Sequence, residues 1–328
     1  MSELDELKQL VDDIGRRSYD AQFGKRRLPE VFDADLWRTL EDSGLTRLTT
    51  EQDAGPREAA IVLAGLARHS AAVPIAETDL LAGWLAGEAG LEIAAGPLTV
   101  AIGAGGTARE VPWPSDAAIV LAAREPDGLY VGLLDAPEIT VGHNLAGEPR
   151  GDLRYGTDGL TRLDPAVGDE LVRRGAWARC VQIIGAFDSA LELTVAHTSE
   201  RVQFGRALSK FQAVQHSLAA MAGEIEQARA ATDLATAAVT DHGFAGARAD
   251  YAVTIAKIAV GRAVTPVTTI AHQLHGAIGV TIEHQLWSAT MRARGWSDEF
   301  GSTASYARRL GRLALEAADP WDVLISCP

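Results

Sequence analysis

Cysteine is nearly absent from this chain: Cys180 and Cys327 are the only two in 328 residues, and no CxxC spacing or grouped metal ligands accompany them. That excludes a disulfide scaffold and a structural zinc site. Positive charge is also scarce, with 30 Lys and Arg against 44 Asp and Glu and a formal net charge of −14. Such a surface repels nucleic-acid backbone and anionic membrane on average, while leaving room for a local basic patch around a phosphorylated ligand. No uninterrupted apolar run approaches the ~18 residues of a membrane span. The opening MSELDELKQLVDDIG lacks the basic segment and apolar run of a secretory signal. The cytoplasm is therefore the expected setting.

What is present is hydrophobic and helix-forming. Hydrophobic residues make up 47% of the chain, with Ala and Leu ahead of β-branched types. Leu7, Leu10, Val11 and Ile14 fall at helical spacing, and Phe32, Leu36, Leu40 and Leu45 suggest a second apolar face after Pro29. Between them, QFGKRR at 22–27 reads mainly as an exposed basic cluster. From about residue 93 the texture changes to short apolar stretches broken by Gly, Pro, Asp and Ser, the pattern of strands and turns. Gly103, Gly105 and Gly106 fit turns or bulges, because no βαβ unit follows to make them a dinucleotide fingerprint. Helical patterns return from Asp169, including a stripe of Val214, Leu218, Met221, Ile225 and Ala228 and a long segment in which Pro266 is a point of kinking or division. The expected fold is mainly α with a small central β domain: a helical domain at 1–92, a reduced middle β domain at 93–158 and a C-terminal helical bundle at 159–328.

Two segments carry candidate chemistry. In HTSERVQFGRALSKFQAVQH, residues 197–216, Arg201 and Arg206 flank Phe204 and Gly205 at the break between two long helices. Guanidinium forks clamp pyrophosphate, glycine allows close backbone approach and Phe204 is suited to cover an apolar ring; a charged helix-end turn is the equal alternative. In HQLHGAIGVTIEH, residues 272–284, Gly276 and Gly279 are placed to offer backbone N–H groups to an anion, with Gln273 beside them, or to form a structural turn. His272, His275 and Glu283 do not make a metal set, because the glycines break the helix between them.

The order of these two segments, with FDADLWRTLEDSGLTRL and VPIAETDLLAGWLAGEAGL earlier in the chain, resembles the acyl-CoA dehydrogenase family, especially its short actinobacterial members acting in steroid breakdown. The resemblance implies a helical domain, a middle β domain and a C-terminal four-helix domain, with FAD lying between subunits. It implies that Arg201, Gln203 and Phe204 contact FAD bound mainly across a subunit interface, and that Gln273 with the Gly276–Gly279 segment contacts the adenosine pyrophosphate part of an FAD. Ala277 stands where the family has the second glycine of a pair.

The catalytic carboxylate is the main departure. Family enzymes use a Glu to remove the α proton of the acyl chain while flavin takes the β hydride; here Phe300 stands at its usual place in WSDEFGST, with Glu299 one residue before it. A shift of one residue turns a helical side chain by about 100°. At the family's alternative position stands Gly175, between Arg174 and Ala176, with Glu170 more than a helical turn away. Glu299, Glu283 and Asp298 are the remaining candidates for a base. Trp113, in VPWPSD, does not sit in the family's flavin-contact strand context. The expectation is an FAD-binding subunit of a heteromeric dehydrogenase, an α2β2 heterotetramer in which a larger acyl-CoA dehydrogenase subunit supplies the Glu. A steroid-derived acyl-CoA would be the substrate, and electron-transfer flavoprotein or another acceptor would take the electrons. The alternatives are a self-sufficient homomeric enzyme with a relocated carboxylate, and a non-catalytic structural or regulatory subunit.

Overall fold

The computed structural model describes residues 2–22, 24–25, 27–52 and 54–325; Phe23 and Arg26 of the basic cluster, and Cys327, lie outside them. Helices fill the chain on either side of a seven-stranded sheet, as the sequence pattern leads one to expect. Contacts divide it into two compact units, Met1–Leu63 with Ala71–Ala178, and Ala64–Ser70 with Arg179–Pro328.

The first unit begins with α1 (Glu3–Gln22), which buries Val11 and Ile14 but leaves Leu10 exposed. In α2 (Ala34–Asp42), Asp33 caps the N-terminus by accepting from Leu36 N at 3.0 Å, and Leu36, Trp37 and Leu40 are buried. Short α3 (Leu48–Glu51) and α4 (Pro56–Arg68) follow, then a π-helical turn (Glu77–Gly83) that runs into α5 (Trp84–Glu88). The π-helix carries Asp79 to the start of α3, where its carboxylate accepts from Thr49 N, Thr50 N and Thr50 Oγ1 at 3.0–3.2 Å. Backbone donors and the positive end of a short helix satisfy this buried carboxylate.

The sheet runs β5-β6-β2-β1-β3-β4-β7, formed by β1 (Leu98–Ala104), β2 (Thr107–Pro112), β3 (Ala118–Glu125), β4 (Gly128–Leu133), β5 (Ile139–His143), β6 (Pro149–Arg154) and β7 (Thr161–Leu163). Among the described residues, only β1 and β3 pair in parallel. Alternating residues, among them Ala101, Ile119, Leu121, Ala123 and Leu153, form its core. Gly105 and Gly106, at φ +58° and +79°, make the two-residue β1–β2 turn, whose conformation only glycine takes freely. A Cβ on Gly103 would stand 2.3 Å from the Tyr155 ring. Trp113 is 3% exposed and packs edge-on to Phe32 at 6.3 Å, so its indole is an internal packing aromatic.

Helix α6 (Pro165–Glu200) contributes its first part to this unit and its remainder to the second. There a small hairpin of β8 (Val202–Gln203) and β9 (Arg206–Ala207) and a 3-10 turn lead into α7 (Gln212–His242). After α8 (Ala247–His275), a second 3-10 turn (Gly276–Val280) precedes α9 (Gln285–Trp296), α10 (Thr303–Glu316) and α11 (Pro320–Ile325). Helix α8 continues through Pro266 without a division and packs on α7 and α10. Met221, Ile225 and Ala228 of the predicted α7 stripe are fully buried. The stretch Ala247–Val280 is long and apolar enough by length and composition to cross a membrane, at mean hydropathy 1.2, although charged residues interrupt it. Half of that window is buried inside the protein, as in a bundle's core helix.

Candidate functional site

The break between α6 and α7 is a built hairpin. Val202 pairs with Ala207 and Gln203 with Arg206, leaving Phe204 and Gly205 as the turn, at φ +50° and +77°. Two positive φ values suit a tight hairpin, but for phenylalanine that backbone is uncommon and costs about 1 kcal/mol or more. The same residue is 92% exposed. A strained backbone that projects a bare aromatic ring marks a surface made to be covered.

Around this ring the polar groups sort into held and open. Arg206 lies over the Phe211 ring at 4.0 Å, and Phe211 meets Phe204 edge-on at 6.2 Å. Arg201, Gln203 and Lys210 are exposed, and Arg201 makes no ion pair with any described residue. In the second segment Gln273 and Gly276 are exposed, whereas Gly279 is buried. Gly276 has φ +65° with open space around it, so its conformation is what requires glycine. Gly279 needs its smallness for packing, because a Cβ there would come 2.7 Å from His275 Cβ. The exposed groups, a guanidinium without an ion pair, amides and a phenyl face, are of the kinds that hold an anionic, partly aromatic ligand.

The positions searched for a catalytic base hold other structures. Phe300 has φ +56° and its carbonyl accepts from Tyr306 Oη at 3.0 Å. Beside it, Glu299 Oε2 accepts from Arg179 Nε at 2.6 Å, and Arg179, 2% exposed, also donates to Gln182 Oε1 at 2.6 Å. Lys257 Nζ donates to the carbonyls of Ser297 and Glu299, both at 2.8 Å, and burial lowers the pKa of its ammonium. Burial likewise pushes the nearby Cys180 thiol up to about 12, so it stays protonated and inert. The WSDEFG turn is thus fastened from below, with its one semi-buried carboxylate engaged by an arginine. Asp298 and Glu283 are exposed.

At the alternative position in the first unit, Arg174 stacks 4.1 Å over Trp84 and pairs with Glu170 at 2.8 Å. Burial lowers the pKa of this guanidinium, opposed by Glu170, Glu88 and Asp79. Glu170, the nearest carboxylate to Gly175, is committed to that pair. Sequence reading did not register this cluster, since nothing in the spacing of Trp84 and Arg174 shows that they meet.

Glu299→Gln tests the fastening. The amide oxygen still accepts from Arg179, but the buried guanidinium loses its counter-charge, and a loss of about 2 kcal/mol is expected in chemical denaturation. If Glu299 were the base, acyl-CoA oxidation would fall by orders of magnitude; otherwise most activity remains.

This succession of helices, a middle sheet and helices bearing an exposed aromatic hairpin is shared with known proteins. Residues 169–312 match the family model of the acyl-CoA dehydrogenase C-terminal domain. Acyl-CoA dehydrogenase IpdE2 of Mycolicibacterium smegmatis is 32% identical over 146 residues, 44% of this chain and 44% of that protein, so the match spans less than half of the relative. A chain of the ChsE4-ChsE5 complex from Mycobacterium tuberculosis superposes with TM-score 0.82 at 25% identity, over 97% of this chain and 98% of that one. A chain of the Tcur3481-Tcur3483 steroid ACAD variant gives TM-score 0.81 at 25% identity, over 95% and 99%. The C-terminal part of the chain is thus similar to the acyl-CoA dehydrogenase C-terminal domain, and the chain over nearly its whole length has the fold of these solved dehydrogenase chains.

Proposed function

We propose that this chain is the FAD-binding subunit of a heteromeric acyl-CoA dehydrogenase that introduces an α,β double bond into an acyl-CoA, with the catalytic Glu supplied by a larger partner subunit. One observation carries the reading: the hairpin keeps Phe204 and Arg201 open to a ligand, while the place of the base is filled by Phe300 and an engaged Glu299. When bound, FAD supplies the hydride acceptor of the dehydrogenation. Arg201 would hold its phosphate charge, Phe204 would exclude water from its ring system, and Gln203, Gln273, Gly276 and Gly279 would contact its polar edges. None of these groups can abstract a proton, so the partner's carboxylate performs that step.

The likeness to a chain of a two-protein complex supports an α2β2 assembly, and the likeness to a steroid ACAD supports a steroid-derived acyl-CoA as substrate. Electron-transfer flavoprotein or a similar acceptor completes the cycle, in the cytoplasm. In this reading 1–92, 93–158 and 159–328 are the working domains.

The test is to express the chain alone and with the neighbouring dehydrogenase subunit, measuring mass, flavin per complex and acyl-CoA oxidation. Flavin and turnover are expected only from the co-expressed complex. Full turnover by the isolated chain rejects the heteromer, and a flavin-free but assembled complex makes the chain a structural subunit.

A further inference from the structure

The two candidate FAD segments are joined by a feature that cofactor binding does not require: a stack of histidine rings. His197, in the last turn of α6, stacks on His275, the last residue of α8, with ring centroids 4.5 Å apart and planes 20° apart. His284, just before α9, meets the other ring of this pair, His275, edge-on at 5.2 Å. Each ring sits at a junction. The His197 carbonyl accepts from Arg201 N at 2.9 Å, where the hairpin begins. His275 begins the Gly276–Val280 turn and is the surface on which Gly279 packs. His284 Nδ1 accepts from Leu286 N at 3.1 Å and caps α9.

The hydrogen bonds of His275 and His284 suit uncharged rings. His275 Nδ1 must donate to the Ala271 carbonyl at 2.9 Å, leaving Nε2 bare, and His275 is only 5% exposed. That Nε2 has no partner among the described residues. His284 Nδ1 must be bare to cap α9. A proton added to His275 would find no acceptor, and one added to His284 Nδ1 would remove the cap.

We propose that His197, His275 and His284 are positioning residues: a ring stack that holds the hairpin and the Gly276–Val280 turn in register for the cofactor and opens when acid charges His275 and His284. The inference rests on the FAD reading given above. The titratable groups acting on His275 are His197 from α6, His284 from the turn before α9, and His272 of α8 itself; Arg294 of α9 acts on His272. No carboxylate is among them, so none compensates a charge on His275. Burial, opposed by the bond to Ala271 and aided to a smaller extent by each of these neighbours, depresses His275 from 6.5 to about 4, and burial with His197 lowers His284. A folded-state pKa below the unfolded one means that the stabilisation is complete above pH 6.5 and is lost as pH falls toward 4.

The test is amide hydrogen exchange on the full chain in its flavin-loaded complex between pH 7.5 and 5, corrected for the intrinsic rate, following residues 197–208 and 272–286 with residues 118–133 as an internal reference. Both segments are expected to lose protection together, by about tenfold or more, with the reference unchanged. His275→Phe keeps a ring in the stack without a proton acceptor and should keep its pH 7.5 protection while losing most of the acid response. If that variant does not fold, His284→Asn, which still caps α9, should blunt the same response. Segments that stay protected to pH 5, that open at separate pH values, or that respond as in the parent in both variants overturn the proposal. Flavin release followed in parallel separates the two readings. Opening of both segments with flavin unmoved overturns the cofactor assignment, whereas flavin retained over a stack that never opens overturns the latch alone.

Discussion

Replacing Arg201 by Ala is expected to weaken FAD retention in the assembled complex by about tenfold to a hundredfold, the worth of one hydrogen-bonded charge against a phosphate. Arg201 is exposed and engages no described residue in an ion pair, so its removal breaks nothing inside the fold, and thermal stability of the unliganded chain should stay within the noise. That separation makes the result interpretable. Arg201→Lys retains the charge but not the planar fork, and should fall between parent and Ala variant. Raising the salt should narrow the gap between them, because an exposed charge is screened. Equal flavin content in parent and Ala variant at low salt would show that the hairpin is not the phosphate contact. Arg206→Ala is the useful contrast: its guanidinium lies on the Phe211 ring, so its loss should loosen the Phe204 turn rather than remove a free charge.

Gly185→Ala is expected to destabilise the chain by about 3 kcal/mol or more, read as a lowered denaturation midpoint at unchanged slope. Helix propensity alone predicts the opposite, a gain of about 1 kcal/mol on replacing an interior helical glycine by Ala. Space decides the sign. A Cβ at Gly185 would stand 2.1 Å from the Ala64 carbonyl oxygen and 2.8 Å from its carbon, backbone atoms that no rotamer change can move. To admit one methyl group, α6 must separate from the segment carrying Ala64, and packing along that contact is lost with it. Gly223 of α7 is the control, exposed and with nothing within 4 Å of a Cβ. There Gly→Ala should raise stability by about 0.5–1 kcal/mol. Since Gly185 lies on the helix that carries His197 in its last turn and leads into the hairpin, its variant should also lose flavin, whereas the Gly223 variant should not.

The contrast between these two glycines describes how far the sequence reaches. Composition and the change from helical to strand texture near residue 93 define the succession of helices, sheet and bundle, because these are local properties of hydrophobic period and turn chemistry, and the ordered pair of motifs around Phe204 and Gly276 carries the family resemblance. The absence of Glu at Phe300 is likewise written in the chain, and so is the exclusion of a metal site by the glycine break after His275. Tertiary structure alone decided what fills the gaps. Glu299 is one residue from the sought position and is engaged by Arg179, 120 residues earlier in the chain. Glu170 is held by an arginine that lies on Trp84. His197, His275 and His284 become one stack only when the ends of α6 and α8 and the start of α9 meet. Each is a contact between residues far apart in the chain, where a one-dimensional pattern carries residue types but not distances. The sequence by itself determined which groups are available; packing determined which of them remain free to bind.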